Sequence, residues 1–245
     1  MAGVVRSCHT PYWDNTRSMS DTINDLKQEA AVAAAQLLHN GMVVGLGSGT
    51  TATLLVTAIG ERVKQGLKVV GIPTSEKTAA QAQSLNIPLA TFADYSQLDV
   101  TIDGADEVEV STLNLIKGGG GNQLREKIVA YASSSLIIIV DETKLVEKLG
   151  SHFKVPVEVA QFGWQSTERV LTKAGGNPTL RVRDGKTFVT DGGNYILDCA
   201  FGPIDDPMAL QRELDSIVGV VEHGLFLGMA NKVLIGSAQG VKTLP

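Results

Sequence analysis

Between residues 103 and 127 the chain reads Asp-Gly-Ala-Asp-Glu, a short apolar stretch, and then Lys-Gly-Gly-Gly-Gly-Asn-Gln-Leu-Arg-Glu-Lys. Five carboxylates, two ammonium groups, one guanidinium and five glycines fall within these residues. Such a set suits proton transfer beside an anion. Glu126 is placed to act as a base next to a carbonyl, Lys117 and the bare amides of Gly118, Gly119 and Gly120 to steady an oxyanion, and Asp103 or Asp106 to move protons between neighbouring oxygens. A plainer account also exists. Asp-Gly and Gly-Gly pairs are ordinary turn chemistry, and Glu126 lies nearly opposite the helical stripe of Leu124, Ile128, Tyr131 and Ser135, where a side chain meets water.

These groups need elements to hold them. The alternating, branched run at residues 98–102 predicts a strand that delivers Asp103, Gly104, Ala105 and Asp106 at its carboxyl end, where open α/β sheets bind ligands. A helix beginning near Asn122 points its positive amino end at the glycine loop. Upstream, a helix opening at Ser20 and Asp21 is expected to stop at Gly41, and a strand at residues 42–46 runs into Gly47, Ser48, Gly49, Thr50 and Thr51 before a helix over residues 52–63. Strand, glycine turn and helix start can hold one phosphate. A helix N-cap formed by Ser48 or Thr50 explains the same residues. A dinucleotide site is disfavoured, because the next strand ends in Pro73 and Thr74 where an acid is required, and a nucleotide P-loop is disfavoured because the loop has no lysine.

Strands at residues 68–72, 88–92, 98–102 and 136–140, alternating with helices that include residues 75–85, predict a Rossmann-like, mostly parallel α/β sheet. The strand at 136–140 leads into Lys144, which can reach the same ligand or lie on a helix surface. After Gly150 the texture changes. Strands at 155–160, 179–182, 186–190, 195–200 and 220–226, with helices at 165–174 and 206–217, predict a small α+β, ferredoxin-like unit. Residues 232–235 resemble another buried strand of the first unit. The expected division is therefore an extension at 1–19, a catalytic α/β domain from 20–150 with 228–245, and an inserted lid at 151–227.

Composition limits the partners. The 245 residues are 43% hydrophobic, with net charge −5, a pI near 5.4 and scattered basic residues, so a core is assured and nucleic acid is not an expected partner. Cys8 and Cys199 are the only cysteines, which argues for a reducing compartment, and the four histidines show no metal-ligand spacing. No apolar run approaches a membrane span and the first twenty residues lack a signal peptide's hydrophobic centre, so a cytoplasmic location is expected.

An anion cradle, an acid pair, a lysine with an amide loop and a helix-borne glutamate together describe the isomerisation of an aldose phosphate to a ketose phosphate. The residues that carry this reading also carry a resemblance. Gly45-Leu46-Gly47-Ser48-Gly49-Thr50-Thr51-Ala52, Asp103-Gly104-Ala105-Asp106-Glu107, Lys117-Gly118-Gly119-Gly120 through Arg125-Glu126-Lys127, and Pro156-Val157-Glu158-Val159 closely resemble the type A ribose-5-phosphate isomerases, in the family's order and spacing. The likeness implies that Ser48, Gly49, Thr50 and Thr51 bind the phosphate with Lys27 and Lys144. It implies that Asp103 and Asp106 contact sugar oxygens, that Lys117 and the amides of Gly118 to Gly120 form the oxyanion site, and that Glu126 is the base. It further implies a homodimer or larger homo-oligomer working in the non-oxidative pentose phosphate pathway without metal or organic cofactor. Asn122 departs from the small apolar residue common there. The alternatives are a sugar-phosphate-sensing domain of similar fold, which would need an attached DNA-binding helix pair, and a sugar-phosphate deaminase, which would want a histidine near the acid pair.

Overall fold

The computed structural model describes residues 19–245, so the expected N-terminal extension lies, apart from Met19, outside the described residues. Helix α1 (Met19–Gln36) comes first. Its small side chains let it lie close over a sheet, and Ala30, Ala31, Ala34 and Ala35 are fully buried there with Leu38. Gly41 does not cap this helix. At φ 91° it turns the chain into the sheet, donating its N–H to the Lys68 carbonyl. Next come β1 (Val43–Leu46), α2 (Thr50–Lys64), β2 (Val70–Pro73), α3 (Glu76–Ser84), β3 (Val100–Asp103), the hairpin of β4 (Glu107–Glu109) and β5 (Leu115–Ile116), α4 (Gln123–Tyr131), β6 (Leu136–Asp141), a 3-10 turn at Glu142–Lys144 and β7 (Leu145–Val146).

The inserted unit runs β8 (Val155–Val159), α5 (Trp164–Lys173), β9 (Pro178–Leu180), the small hairpin of β10 (Val182–Arg183) and β11 (Lys186–Thr187), β12 (Tyr195–Cys199), α6 (Pro207–Ser216) and β13 (Val220–His223). The order β13-β8-β12-β9 is antiparallel throughout. Numbered within the unit this is 4-1-3-2, with a helix after the first and third strands, a ferredoxin-like arrangement. Its core joins Val155, Val157, Val159, Leu171, Leu197, Cys199 and Leu214. Burial pushes the Cys199 thiol up to about 12, so it behaves as a small apolar side chain. The chain returns through β14 (Leu225–Phe226), β15 (Lys232–Ser237) and β16 (Gly240–Leu244).

The main sheet has the order β16-β15-β6-β3-β1-β2 and is parallel except for the antiparallel edge strand β16. From β1 the chain goes to β2 on one side and then to β3 on the other. The carboxyl ends of β1 and β3 therefore flank the topological switch point, where a crevice opens. Strand β6 is apolar on both faces: Ile137 and Ile139 pack with α1 and α2, while Leu136, Ile138 and Val140 pack with Leu115, Phe226 and Val233. That double burial explains its unbroken branched run.

The structure corrects several expectations. Residues 88–92 make only an isolated bridge, Gly71 to Leu89, because the Asp94 carboxylate captures the Thr91 N–H and turns the chain. The single strand expected at 220–226 divides between two sheets, β13 pairing with β8 and β14 with β5. The expected strands at 179–182 and 186–190 are broken by the hairpin, and β16 and β7 were not legible. On α4 the buried face carries Gln123, Glu126, Val129 and Ala130, whereas Ile128 and Tyr131 of the expected inner stripe are 48% and 86% exposed.

Candidate active site

The loop after β1 is shaped by Asp103. A Cβ on Gly47 would lie 2.2 Å from Asp103 Oδ1, so only glycine lets the loop pass over that carboxylate, which accepts the Ser48 N–H at 3.0 Å. Gly49, at φ 95°, is the residue before α2, and no side chain caps the helix. Neither Ser48 nor Thr50 is the N-cap: Ser48 Oγ pairs with Thr74 Oγ1, and Thr50 is already helical. The leading N–H groups of α2 are thus left for a ligand, at the positive end of the helix dipole. Lys27 reaches over from α1, 3.5 Å from Thr50 Oγ1 and 3.8 Å from Asp141 Oδ2. Lys144 lines the same cavity from the 3-10 turn, with no hydrogen bond or ion pair from its side chain to a described residue.

Opposite the loop stands a buried cluster. Lys117 Nζ lies 2.8 Å from Asp103 Oδ2 and 3.2 Å from Glu126 Oε2, and donates to the Gly104 carbonyl. Burial acts to lower the Lys117 pKa, but Asp103 and then Glu126 outweigh it, and the net shift is upward; the group stays an ammonium. Glu126 moves the other way. Burial lifts its carboxyl to about 7, Lys117 opposes the shift, and the charges of Asp103 and Asp106 add to it. The approach of Lys117 lacks hydrogen-bond geometry, so Glu126 Oε2 is buried without a hydrogen-bond partner. Asp106 is also raised, chiefly by burial, against the Gly119 N–H that it accepts at 2.8 Å. The N–H groups of Gly118 and Gly120 have no partner among the described residues.

One cavity of about 100 Å³ is lined by Lys27, Ser48, Gly49, Thr50, Thr51, Gly104, Ala105, Asp106, Lys117, Gly118, Gly119, Gly120, Glu126 and Lys144. Of the residues expected at the site, only Asp103 is missing from this lining. Asp103 is completely buried, and its two oxygens take the Ser48 and Gly104 N–H groups and Lys117. It fixes the loop and the lysine from behind. Two contributors were not singled out in the sequence. Asp141 ends β6 and steadies Lys27, and Thr74 after β2 holds Ser48; position at a strand's carboxyl end was the only signal either gave.

An anion-holding helix start facing a poised carboxylate, a fixed ammonium and open amides places the chain among acid-base enzymes that work on small anionic substrates. Residues 70–240 match the family model described as ribose 5-phosphate isomerase A (phosphoriboisomerase A), and the chain belongs to that family. It is 58% identical over 219 residues to ribose-5-phosphate isomerase A of Gloeobacter violaceus, covering 89% of this chain and 95% of that one. The structure of ribose 5-phosphate isomerase A from Methanocaldococcus jannaschii superposes with a TM-score of 0.86 at 46% identity, covering 90% of this chain and 98% of that one. A D-ribose-5-phosphate isomerase in complex with phospho-erythronic acid superposes at 0.88 with 38% identity, covering 91% and 98%.

Proposed function

We propose that this chain interconverts D-ribose 5-phosphate and D-ribulose 5-phosphate through an enediolate. The observation that carries the reading is the buried Glu126 carboxyl, raised to about 7 and unsatisfied at one oxygen, on a cavity whose far end is an uncapped helix start. A base with this pKa is divided between its two protonation states near neutrality, as a group that takes and returns a proton requires.

The substrate phosphate sits on the loop of Ser48, Gly49, Thr50 and Thr51, with Lys27 and Lys144 supplying charge. Asp106 faces the sugar hydroxyls and assists ring opening, while Asp103 acts through Lys117 and the loop. Glu126 removes the proton from C2 and returns it to C1, as the hydroxyl proton of O2 passes to O1. Lys117 and the open N–H groups of Gly118 and Gly120 hold the charge that develops on oxygen, while the Gly119 N–H, expected to share in this, is engaged by Asp106. The steps call on protein groups alone. The phospho-erythronic acid of the related complex carries anionic groups at both ends, as this cavity would accept.

We further assign residues 20–150 with 228–245 to the catalytic domain and 151–227 to a lid. The same family reading supports a homodimer or larger homo-oligomer in the cytoplasm; no helix among the described residues is long and apolar enough to cross a membrane. A sugar-phosphate-sensing domain would have no use for a carboxylate kept unsatisfied inside the site. Incubating the purified protein with ribose 5-phosphate in heavy water, with and without EDTA, and following it by NMR tests the proposal. Ketose formation with deuterium uptake, indifferent to chelator, is expected. Binding without turnover would favour the sensing domain, and activity lost to EDTA and restored by a metal would overturn the cofactor-free mechanism.

A further inference from the structure

We infer that Arg181, carried by the inserted unit, is a positioning residue for isomerisation: it grips the carbonyls of the glycine loop from behind and so aims the loop's amides. The inference deepens the proposed isomerase reading and rests on it.

The guanidinium is held first. Arg181 Nε donates to Asp198 Oδ2 at 2.9 Å and Nη2 to Asp198 Oδ1, a bidentate pair anchored on β12, and the arginine side chain is only 10% exposed. The remaining nitrogen, Nη1, donates to the Gly118 carbonyl at 2.9 Å and to the Gly119 carbonyl at 3.3 Å. Because each trans peptide is planar, these two carbonyls decide where the neighbouring N–H groups point. The Gly118 carbonyl shares its plane with the Gly119 N–H, and the Gly119 carbonyl with the Gly120 N–H, each N–H pointing away from its carbonyl. Holding both carbonyls on the Arg181 side turns both N–H groups to the opposite side. There Gly119 N–H meets Asp106 at 2.8 Å, and Gly120 N–H is left open on the cavity. A charged donor on a carbonyl also polarises the attached N–H, strengthening what it offers an oxyanion.

Glycine makes this support necessary, because four successive glycines have no side chains to fix their peptide planes. The insert supplies the missing restraint from outside the loop. Arg183 Nη2 reaches the Gly120 carbonyl at 3.3 Å, and the Phe188 ring lies where a Cβ on Gly121 would be. Phe188 also stacks under both guanidinium groups, 6.0 Å from Arg181 and 4.3 Å from Arg183. No short motif announces Arg181, whose loop partners lie 63 and 62 residues earlier in the chain.

Arg181→Met, which keeps the bulk and removes every donor, tests this with ribose 5-phosphate as substrate. The expected result is kcat lower by about ten- to a hundredfold with KM within about threefold, since the amides act on the transition state more than on the bound sugar. Added guanidinium should restore part of the loss in Arg181→Ala. The part of the kcat/KM profile that follows Asp106 should also move to higher pH, because Asp106 loses a nearby positive charge while Lys117 and Lys144 remain. If Arg181→Met does not fold, Asp198→Asn reads the same coupling by loosening the guanidinium's hold and should lower kcat in the same sense, by less. A folded Arg181→Met with wild-type kcat, or one whose loss lies wholly in KM with an unmoved pH profile, overturns the inference while leaving the isomerase reading intact. A wild-type chain that fails to isomerise ribose 5-phosphate overturns that reading and the inference with it.

Discussion

Glu107 and Glu126 are both sealed from solvent, at 1% and 4% exposure, and their surroundings differ in every other respect. Glu107 accepts three backbone N–H groups, from Gly150, His152 and Phe153, at 2.6, 2.6 and 2.7 Å. Those bonds satisfy the carboxylate and tie the start of the inserted unit to β4. Glu126 has one ammonium at 3.2 Å, an oxygen without a hydrogen bond and two other carboxylates nearby. Burial alone therefore does not mark the chemistry. A carboxylate whose lone pairs are all engaged has nothing left for a substrate, while one left incomplete in a dry site is ready to take a proton.

Replacing the incomplete carboxylate should give the largest effect. Glu126→Gln keeps the shape and removes the base, and kcat is expected to fall on the order of a hundredfold or more with folding preserved. Steady-state kinetics alongside a thermal melt checks both halves. Near-normal turnover would break the contrast at its centre.

The same contrast predicts how stability depends on pH. The Glu126 carboxyl is raised to about 7 from its ordinary 4.5, so between these values the folded chain holds a proton that the unfolded chain has released. Stability contributed by this group is present below about 4.5 and is lost as pH rises through about 7. Denaturant midpoints measured across that window should lose more, or gain less, with rising pH in the wild type than in Glu126→Gln. Asp106 and Glu158, also raised chiefly by burial, contribute slopes of the same sign as Glu126, and His223, lowered to about 4 chiefly by burial, contributes one of opposite sign; all three are present in both proteins, so the comparison rests on the difference. Identical slopes would show that Glu126 is ionised throughout and not poised.

What the sequence revealed divides along a related line. The alternation of strand and helix, the loop at residues 47–51 and the acids after β3 were legible because each is written in adjacent residues: periodicity, glycines at a turn, charge at a strand's end. The inner face of α4 was not. A nine-residue helix that turns Gln123 and Glu126 inward for the site has little room for an apolar stripe, so Leu124, Ile128 and Tyr131 formed the more visible pattern while facing largely outward. The satisfied partners were equally hidden. Glu107 meets Phe153 across 46 residues and Arg181 meets Gly118 across 63, distances over which no local propensity acts. Asp103 looked like a substrate ligand because Gly104, Ala105 and Asp106 beside it line the cavity; only the geometry distinguishes an acid lining the cavity from one supporting it.

Glu107→Gln sharpens the satisfied side. Its new amide must point N–H groups at backbone N–H groups, and the mismatch should cost about 1–3 kcal/mol of stability by denaturant unfolding. Phe153, whose N–H is one of the three, also lies against Gly119, so a modest fall in activity should accompany the loss. The pH slope assigned to Glu126 should remain. A stable Glu107→Gln with lost turnover would reverse the roles given to the two glutamates.

Lys144 carries the contrast to a positive group and to the smallest effect. It lines the cavity with no hydrogen bond or ion pair from its side chain to a described residue, whereas Lys117 is locked between two carboxylates. Lys117 is thus fixed in place on the cavity wall before any substrate arrives, whereas Lys144 is free to meet an anion. Lys144→Ala removes a charge that a bound phosphate feels equally in the ground state and the transition state, so KM should rise by about tenfold while kcat changes little. The rise should shrink at high salt, because the site is open enough to be screened. An unchanged KM would mean that the uncapped start of α2 and Lys27 hold the phosphate without it, and that a lysine lacking partners on this surface is simply solvated.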